Sequence, residues 1–440
     1  MIASALNAAP SRRLAPKGDR LRVLFVAKRF PYPADTGGKI RTARLLEQLS
    51  QRLDITLVSN VEHPGDDRFL ADVGRLCARF EPVPWQEIPK GTWSFYRQVL
   101  RRLGSRYPVS VAGDYSPALA ARIRTCLARD RYDLLVCDFV QPSINLDDDI
   151  DCPVLLFQHN VESTIFERHA RTASSMPLRW FWRSQWRKME RFERAACQRF
   201  AGVVAVSEVD RAVFAERYGA RRTFAIPTAV DADYFRPGTA PGVDGRLVFT
   251  GSMDWLPNED AVLFFVEEIL PRIAARVPGV TLEVVGRRPS PRLRRRLALR
   301  PEVVVTGRVD DIRPHLQSAA VYVIPLRIGG GTRIKAYEAM AMAKPIVSTP
   351  IGVEGLPVRN GEHLVLAEHP DDFSAAVAGL LQEPDRRLRL GQVARRFVEE
   401  SCRWPSAATA FVEACRVVAA TRPIVPKLLH HTPIPERDTP

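Results

Sequence analysis

The feature that most constrains the fold is the alternation of short, apolar, β-branched runs with longer segments of helical periodicity. In the first half of the chain the apolar runs cover residues 21–27, 55–59, 133–139, 154–159 and 203–207. In the second half, where the spacing is tighter, they cover residues 247–250, 282–285, 303–306, 321–324 and 345–348. Unbroken apolar runs are typical of strands that are covered on both faces. The pattern predicts an α/β chain of βα units on parallel sheets.

The domain organisation follows from the length and from one segment rich in proline and glycine. A chain of 440 residues favours two or three domains. Residues 234–245 lack periodicity and are typical of an interdomain linker. We therefore predict Rossmann-like domains at residues 21–233 and 246–400, and a C-terminal helix at residues 401–420 that crosses back to the first domain. The flanking residues 1–20 and 421–440 are expected to be disordered, and residues 81–113 fit no predicted element.

The composition is ordinary except for its charge. The net charge of +14 predicts attraction to the phosphate of a nucleotide, a nucleic acid or an anionic lipid. Seven cysteines without a CxxC pair fit reduced thiols, and hence a cytoplasmic protein. No run reaches the roughly 20 apolar residues of a membrane-spanning helix, and the first 20 residues lack the apolar segment of a signal peptide.

Candidate ligand contacts in the first half lie directly after two of the apolar runs. In open α/β sheets, ligands bind beyond the carboxyl ends of the strands. Gly37 and Gly38 precede a helical segment, so the amides there favour an anion, although the pair is equally consistent with a simple turn. His159 ends an apolar run inside a polar cluster. For a single histidine, a hydrogen bond to the backbone is the simpler alternative.

The second half carries a more specific segment at residues 325–341. Three glycines followed by basic residues at a helix start are suited to a diphosphate, and a carboxylate further along the helix is suited to ribose hydroxyls. The residues concerned are Gly329, Gly330, Gly331, Thr332, Arg333, Lys335 and Glu338. A flexible turn before a solvated helix fits less well, because Met340 and Met342 make the following turn apolar. A glycine also precedes Arg308 and Val309, where a base or phosphate can approach the backbone.

With these segments, residues 21–404 resemble the retaining family-4 glycosyltransferases of the GT-B fold. The most specific similarity is Glu-Ala-Met-Ala at residues 338–341, followed by Lys-Pro-Ile-Val-Ser-Thr at residues 344–349. Val-Ala-Val-Ser at residues 204–207 and Ile-Pro-Thr-Ala-Val-Asp at residues 226–231 are similar to two further motifs of that family. Residues 249–258 resemble a narrower branch, the sugar transferases encoded with bacterial exopolysaccharide and exosortase (PEP-CTERM) systems.

The resemblance implies a fold, a reaction and a set of contacts. The fold is α/β, with two doubly wound Rossmann-like domains facing a central cleft. The reaction moves a hexose, with retention, from a nucleotide diphosphate sugar to a saccharide or polyprenyl-linked acceptor in exopolysaccharide or cell-surface glycan synthesis, without a metal or other cofactor. The resemblance assigns the catalytic contacts to His159, Gly37 and Gly38. It assigns the contacts with the donor to Gly251, Arg308, Val309, Gly329, Gly330, Gly331, Thr332, Arg333, Lys335 and Glu338.

Two departures from the family pattern concern the donor side. The family often carries a second glutamate eight positions before the one at Glu338, and this chain has Gly330 there. The family also tends to place arginine after the glycine of the first strand of the second domain and lysine five positions later. Ser252 and Pro257 occupy these places, so Arg333 and Lys335 are expected to carry more of the phosphate binding.

Other functions are weighed on the same residues. A sugar-nucleotide epimerase with the same architecture is the nearest alternative. A basic nucleic-acid-binding protein is disfavoured, because the lysines and arginines are dispersed and no recognised motif is present. A dehydrogenase is disfavoured because Gly37-Gly38 is not a GxGxxG fingerprint. The acidic run at residues 147–149 is interpreted as a solvated turn and not as a metal site.

Residues 177–200 offer a membrane contact as an alternative to a packed helix. On a helix, Trp182, Trp186, Met189 and Ala196 share a face, while arginines and a lysine cover the rest. The simpler interpretation is a basic surface helix whose aromatic face packs on the first sheet. The sharper one is that Trp180, Phe181 and Trp182 enter the lipid interface of an anionic membrane, which would make the protein peripheral at the inner face of the cell membrane.

Overall fold

The computed structural model describes residues 20–34, 36–89, 91–173, 175–239, 242–328 and 333–421. Within these ranges the chain forms two parallel sheets, each covered by helices on both faces. The α/β prediction with two Rossmann-like domains is therefore confirmed. Most of the two terminal segments expected to be disordered, and Gly329, Gly330, Gly331 and Thr332, lie outside the described residues.

The N-terminal domain is built on a seven-stranded parallel sheet. Its strands in chain order are β1 (Arg22–Ala27), β2 (Asp54–Glu62), β3 (Arg79–Trp85), β4 (Leu134–Asp138), β5 (Val154–Phe157), β6 (Gly202–Ala205) and β7 (Thr223–Ala225). They lie side by side in the order β3-β2-β1-β4-β5-β6-β7. The crossover between β1 and β4 is a topological switch point, so ligand-binding loops are expected beside the ends of β1 and β4.

The helices of this domain alternate with its strands. They are α1 (Gly37–Leu49), α2 (Trp93–Leu103), α3 (Val109–Asp114), α4 (Pro117–Arg129), α5 (Glu162–Thr172), α6 (Met176–Arg199) and α7 (Glu208–Ala212). Short 3-10 segments occur at Asp67–Arg75 and Gln141–Asn145, and a π-helical turn at Val213–Arg217 extends α7. Residues 81–113, which fit no predicted element, contain most of β3 together with α2 and part of α3.

The C-terminal domain repeats the same arrangement. Its strands are β8 (Arg246–Thr250), β9 (Thr281–Val285), β10 (Val303–Gly307), β11 (Val321–Ile324), β12 (Ile346–Ser348) and β13 (Val365–Leu366), in the order β10-β9-β8-β11-β12-β13. Its helices are α8 (Leu256–Phe264), α9 (Leu270–Ala274), α10 (Pro291–Leu297), α11 (Arg313–Ser318), α12 (Ile334–Ala341), α13 (Pro370–Gln382) and α14 (Pro384–Ser401). A π-helical turn at Phe265–Ile269 joins α8 to α9, and a 3-10 turn at Pro350–Val353 follows β12.

The last described helix, α15 (Trp404–Ala419), packs on the N-terminal domain although it follows the C-terminal one in sequence. Phe411 is fully buried, and its ring meets that of Phe157 in β5 with 5.1 Å between centroids. The chain therefore passes between the domains twice. The two passages touch each other, because the amide of Val230 donates to the carbonyl oxygen of Cys402 at 3.0 Å.

The long basic helix α6 supports the packed-helix interpretation over most of its length. Met189 and Ala196 are buried, and the ring of Trp182 stacks on that of His169 with 4.6 Å between centroids. Of the three aromatic residues expected to reach lipid, Phe181 and Trp182 are partly buried and only Trp180 is largely exposed, at 73%. The ring of Trp182 packs on α5, as the packed-helix interpretation predicts, and a lipid contact of Trp180 and Phe181 stays a prediction. None of the helices in the described ranges combines the length and the hydropathy that crossing a membrane requires.

Candidate functional site

The loops at the carboxyl ends of the two sheets approach each other between α1 and α12. A Cβ placed on Gly37, at the start of α1, would lie 3.9 Å from Cδ1 of Ile334 at the start of α12. The N-termini of these two helices therefore meet, one from each domain. Since a helix N-terminus attracts anions, this junction is suited to a negatively charged ligand.

His159 lies at this junction, fixed on the N-terminal side. Its Nε2 is 2.7 Å from Oδ1 of Asp138, at the end of β4, and Oγ1 of Thr42 donates to the other oxygen of that carboxylate at 2.8 Å. Burial lowers the pKa of His159 below its ordinary value, against the opposing effect of Asp138. In the resulting neutral ring, Nε2 carries the proton and donates to Asp138. Nδ1 then keeps its lone pair, and it has no hydrogen-bond partner among the described residues.

The ring of Phe139 determines where His159 can lie, and it explains why Gly38 is a glycine. Phe139 stacks on the imidazole with 3.9 Å between centroids and an interplanar angle of 9°. Its φ of 70° lies in the left-handed region, which a bulky side chain rarely adopts. A Cβ on Gly38 would lie 2.8 Å from Cζ of that ring. Gly38 is thus required by a side-chain contact as well as by its position in the first turn of α1.

Lys335 provides a positive charge on the C-terminal side. Its Nζ donates to Oδ1 of Asn258 in α8 at 2.9 Å and lies 4.3 Å from the centroid of the Phe249 ring. Burial, and then the charge of Arg333, lower the pKa of Lys335 to about 7, with Glu338 acting in the opposite direction. An anion arriving beside Lys335 would favour the charged ammonium.

Asn258 connects Lys335 to Gly251, directly after β8. Its amide nitrogen donates to the carbonyl oxygen of Ser252 at 2.9 Å, and a Cβ on Gly251 would lie 2.7 Å from the same nitrogen. Gly251 therefore leaves room for Asn258, which the sequence analysis did not select. The available signal was its place in the segment at residues 249–258, quoted for the resemblance without a role for the asparagine.

Glu338 is buried one turn beyond Lys335 on α12. Burial raises the pKa of this carboxyl to about 7, and Lys335 offsets part of the rise. The side chain is only 7% exposed. A carboxylate held in this way accepts hydrogen bonds strongly once it is ionised.

Arg333 lies in a different setting from Lys335, although the sequence analysis gave them one role. It is 3% exposed, and burial lowers the pKa of its guanidinium to about 10, with Glu354 opposing this effect most strongly. Arg168 on α5 and Asp210 on α7 also act on it across the domain boundary. Arg333 thus belongs to a charged cluster that joins the two domains.

This cluster includes a bidentate ion pair between the domains. The guanidinium of Arg168 donates to both oxygens of Glu354, at 2.7 and 2.6 Å. Next to it, Gly355 has a φ of 78°, and a Cβ there would lie 2.8 Å from Oγ of Ser207 at the start of α7. The backbone after β12 is therefore in close contact with the N-terminal domain.

Arg308 and Val309 follow the end of β10, and Arg41 lies in α1. Arg308 is exposed and Val309 half-buried, directly after Gly307, whose φ of 74° turns the chain out of β10. Arg41 was missed, yet its buried guanidinium donates to the carbonyl oxygen of Ile226 at 2.6 Å and to the hydroxyl of Thr228. It ties α1 to the segment that leads out of the N-terminal domain.

Comparisons with known proteins agree with this geometry. Residues 35–234 match the family model described as Glycosyltransferase Family 4, and residues 244–383 match the model described as Glycosyl transferases group 1. The two models cover the two domains in turn. The chain is a GT-B glycosyltransferase.

Relatives of this glycosyltransferase are similar over different extents. The phosphatidyl-myo-inositol mannosyltransferase of Mycolicibacterium smegmatis is 27% identical over 293 residues, which cover 64% of this chain and 70% of that protein. The structure of sucrose-phosphate synthase from Thermosynechococcus elongatus superposes with a TM-score of 0.69 at 17% identity, covering 91% of this chain and all of that one. HepE from Anabaena, solved with UDP and glucose, gives a TM-score of 0.64 at 14% identity, covering 90% and 100%.

Proposed function

We propose that this glycosyltransferase moves a hexose from a nucleoside diphosphate sugar to a saccharide or polyprenyl-linked acceptor, with retention at the anomeric carbon. The observation that carries the proposal is the pair formed by Lys335 and Glu338 on α12, the helix whose N-terminus meets that of α1 at the domain junction. A half-buried ammonium and a helix N-terminus stabilise a leaving diphosphate. A nearby carboxylate suits ribose hydroxyls. UDP and glucose in a structure of the same fold, and mannosyl transfer in the name of a relative, support this donor class.

His159 is assigned to the donor sugar from the opposite side. A neutral imidazole whose Nδ1 has no partner among the described residues can accept a hydrogen bond from a sugar hydroxyl without adding charge. Asp138 and Phe139 hold the ring in one orientation, which reduces the reorganisation needed during transfer. The amides of Gly37 and Gly38 remain candidates for donor phosphate or acceptor.

The cellular role is proposed from the resemblance stated above. We place the protein in the cytoplasm and at the inner face of the cell membrane, in exopolysaccharide or cell-surface glycan synthesis. Binding of the nucleotide to residues 244–383 and of the acceptor to the N-terminal domain accords with the division of the chain between the two family models.

The donor proposal is tested by a thermal-shift screen of nucleoside diphosphates and their sugars, followed by NMR of the product formed with an added acceptor. We expect a raised melting temperature with one nucleotide series, and the anomeric configuration of the donor in the product. Inversion would contradict the stereochemical assignment. Turnover of the nucleotide sugar without an acceptor would point to an epimerase instead.

Metal independence is tested separately. We expect transfer to persist in EDTA, because Lys335 and the N-terminus of α12 supply the positive charge that the leaving diphosphate needs. Initial rates would be measured before and after chelation, and again after Mg²⁺ is restored. Activity that is lost with EDTA and returns with Mg²⁺ would contradict the proposal.

A further inference from the structure

Helix α2 is unusual because it buries none of its side chains, although its sequence is amphipathic and all its residues are described. Trp93, Tyr96 and Leu100 are 78%, 53% and 63% exposed. Their spacing of three and four residues places them on one side of the helix. A helix of 11 residues is marginal in water by itself, so an apolar face of this kind indicates a surface that is covered in use.

The charge around this face indicates what covers it. The segment from Gly91 to Tyr107 carries four arginines and no acidic residue. Arg97 and Arg101 are exposed and flank the apolar side, while Arg102 is half-buried and acts electrostatically on Asp114. Arginines beside tryptophan, tyrosine and leucine match the layered chemistry of an anionic bilayer, in which rings lie at headgroup depth and guanidinium groups meet phosphate.

We propose that α2 is a membrane-binding helix that lies in the interface of an anionic bilayer, with Trp93, Tyr96 and Leu100 inserted. A second copy of this chain is the less suitable occupant of the same face. Symmetric pairing through α2 would bring two arginine-rich surfaces together, and such repulsion opposes association.

Helix α2 is attached to the rest of the N-terminal domain, so its binding to a membrane would hold that domain at the membrane surface. Nζ of Lys188, in the middle of α6, donates to the carbonyl oxygen of Leu103 at the end of α2 at 2.7 Å. At its other end, the hydroxyl of Thr92 accepts a hydrogen bond from the amide of Phe95 and caps the helix. Because neither the contact with α6 nor the cap uses the apolar face, that face remains available. The inference rests on the proposed function only in that a lipid-linked acceptor requires an enzyme at the bilayer.

The test is co-sedimentation of the full chain with phosphatidylcholine vesicles, with and without phosphatidylglycerol. We expect binding that requires the anionic lipid and weakens with salt. The variant W93S/Y96S/L100S should lower the partition coefficient by about tenfold or more. The matched control is L299S/L388S, which changes leucines that are 82% and 62% exposed on the other domain and should leave binding unchanged.

A second measurement locates the helix independently of that variant. All seven native cysteines are buried, so Leu100→Cys can be labelled with an environment-sensitive fluorophore, and Leu388→Cys serves as its control. We expect a blue shift with anionic vesicles at the first position only. An unshifted label at position 100, or undiminished sedimentation of the folded triple variant, would overturn the proposal. Sedimentation velocity that shows a dimer lost in the triple variant would assign the face to a second copy.

Transfer to an acceptor free in solution, measured without vesicles, separates this inference from the proposed function. We expect the triple variant to retain that activity, because α2 makes no described contact with Lys335, Glu338 or His159. An inactive wild-type protein that still binds vesicles through α2 would contradict the donor proposal and leave the membrane assignment intact.

Discussion

At the scale of single residues, the ring of Phe139 links a strained backbone to the buried imidazole of His159. Its φ of 70° is maintained because the ring is held between His159 on one side and Gly38 on the other. Residues held in such conformations concentrate at functional sites. The position of the His159 imidazole therefore depends on the absence of a side chain at Gly38 in α1.

This dependence gives a prediction for Gly38→Ala. The added Cβ would lie 2.8 Å from Cζ of Phe139, so the ring must move and the stacked imidazole with it. We expect turnover to fall by about tenfold or more while nucleoside diphosphate binding, on the other domain, changes little. Steady-state kinetics and calorimetry would measure the two. Gly74→Ala is the control, since its Cβ would meet no atom within 4 Å. Equal losses in binding and turnover would contradict the assignment.

The lowered pKa of Lys335 predicts that diphosphate binding is coupled to proton uptake. Burial holds its pKa at about 7, so at about pH 8 the empty site contains mostly the neutral amine, and a diphosphate would draw it to the charged form. Binding at that pH should therefore take up close to one proton, and at about pH 6 the lysine contributes none. Glu338, with a pKa of about 7, is mostly ionised at the higher pH and adds little to the uptake there.

Calorimetry in two buffers of different ionisation enthalpy measures that uptake. Lys335→Arg keeps the charge without a titration near neutral pH, so its uptake should be close to zero while binding persists. Lys335→Ala should weaken diphosphate binding by about 1–3 kcal/mol. If the wild-type enthalpy is the same in both buffers, Lys335 does not titrate on binding.

Sequence alone identified some of these residues and missed others for a physical reason. Lys335 and Glu338 were selected because glycines and charges beside an apolar helix are a local pattern, and their roles stay predictions. Asp138 contacts His159 21 positions away, and Asn258 contacts Lys335 77 positions away. Local patterns contain no information on such contacts. The shared role predicted for Arg333 and Lys335 could not anticipate that Arg333 faces Glu354 across the domain boundary.

At the scale of elements, an ion pair joins α5 in the first domain to the loop after β12 in the second. We expect Arg168→Ala and Glu354→Ala each to favour a more open molecule, seen as a larger radius of gyration in small-angle scattering without ligand. The coupling between them should be about 1 kcal/mol, since both side chains are partly exposed. Arg171→Ala is the matched control, because Arg171 pairs with Glu167 on the same helix. An unchanged radius in both interdomain variants would contradict this role.

The strands that sequence reasoning missed are all at sheet edges. β3 contains Pro82 and Pro84, which remove two ladder donors and are tolerated only where one side of the strand is unpaired. β7 and β13 have three and two residues, too few to show a periodic pattern. The ten predicted strands all form; nine are mostly buried apolar runs, and β10, at a sheet edge, is an apolar run that is not buried. The sequence could not predict the short edge strands, because they form only by pairing with a neighbouring strand.

At the scale of the whole molecule, the nucleotide site should belong to one domain. A fragment of residues 244–400 contains β8 to β13 and α8 to most of α14, including Asn258, Lys335 and Glu338. We expect it to bind nucleoside diphosphate with an affinity within about tenfold of the full chain. Calorimetry on both would check this, with circular dichroism confirming that the fragment folds. Binding by the full chain alone would assign part of the site to the N-terminal domain.

The return of α15 to the first domain has a mechanical consequence. A protein with one connection between its domains allows them to rotate about several axes, whereas this chain crosses twice, and a hydrogen bond at Val230 and Cys402 holds the crossings together. Two adjacent crossings act as a hinge with one preferred axis. A relative motion of the domains about this hinge would follow a single arc, which would return α12 to the same position opposite α1. Residues that bind the donor on one domain and residues that bind the acceptor on the other can thus be brought into the same alignment repeatedly, although the two domains do not form one rigid unit.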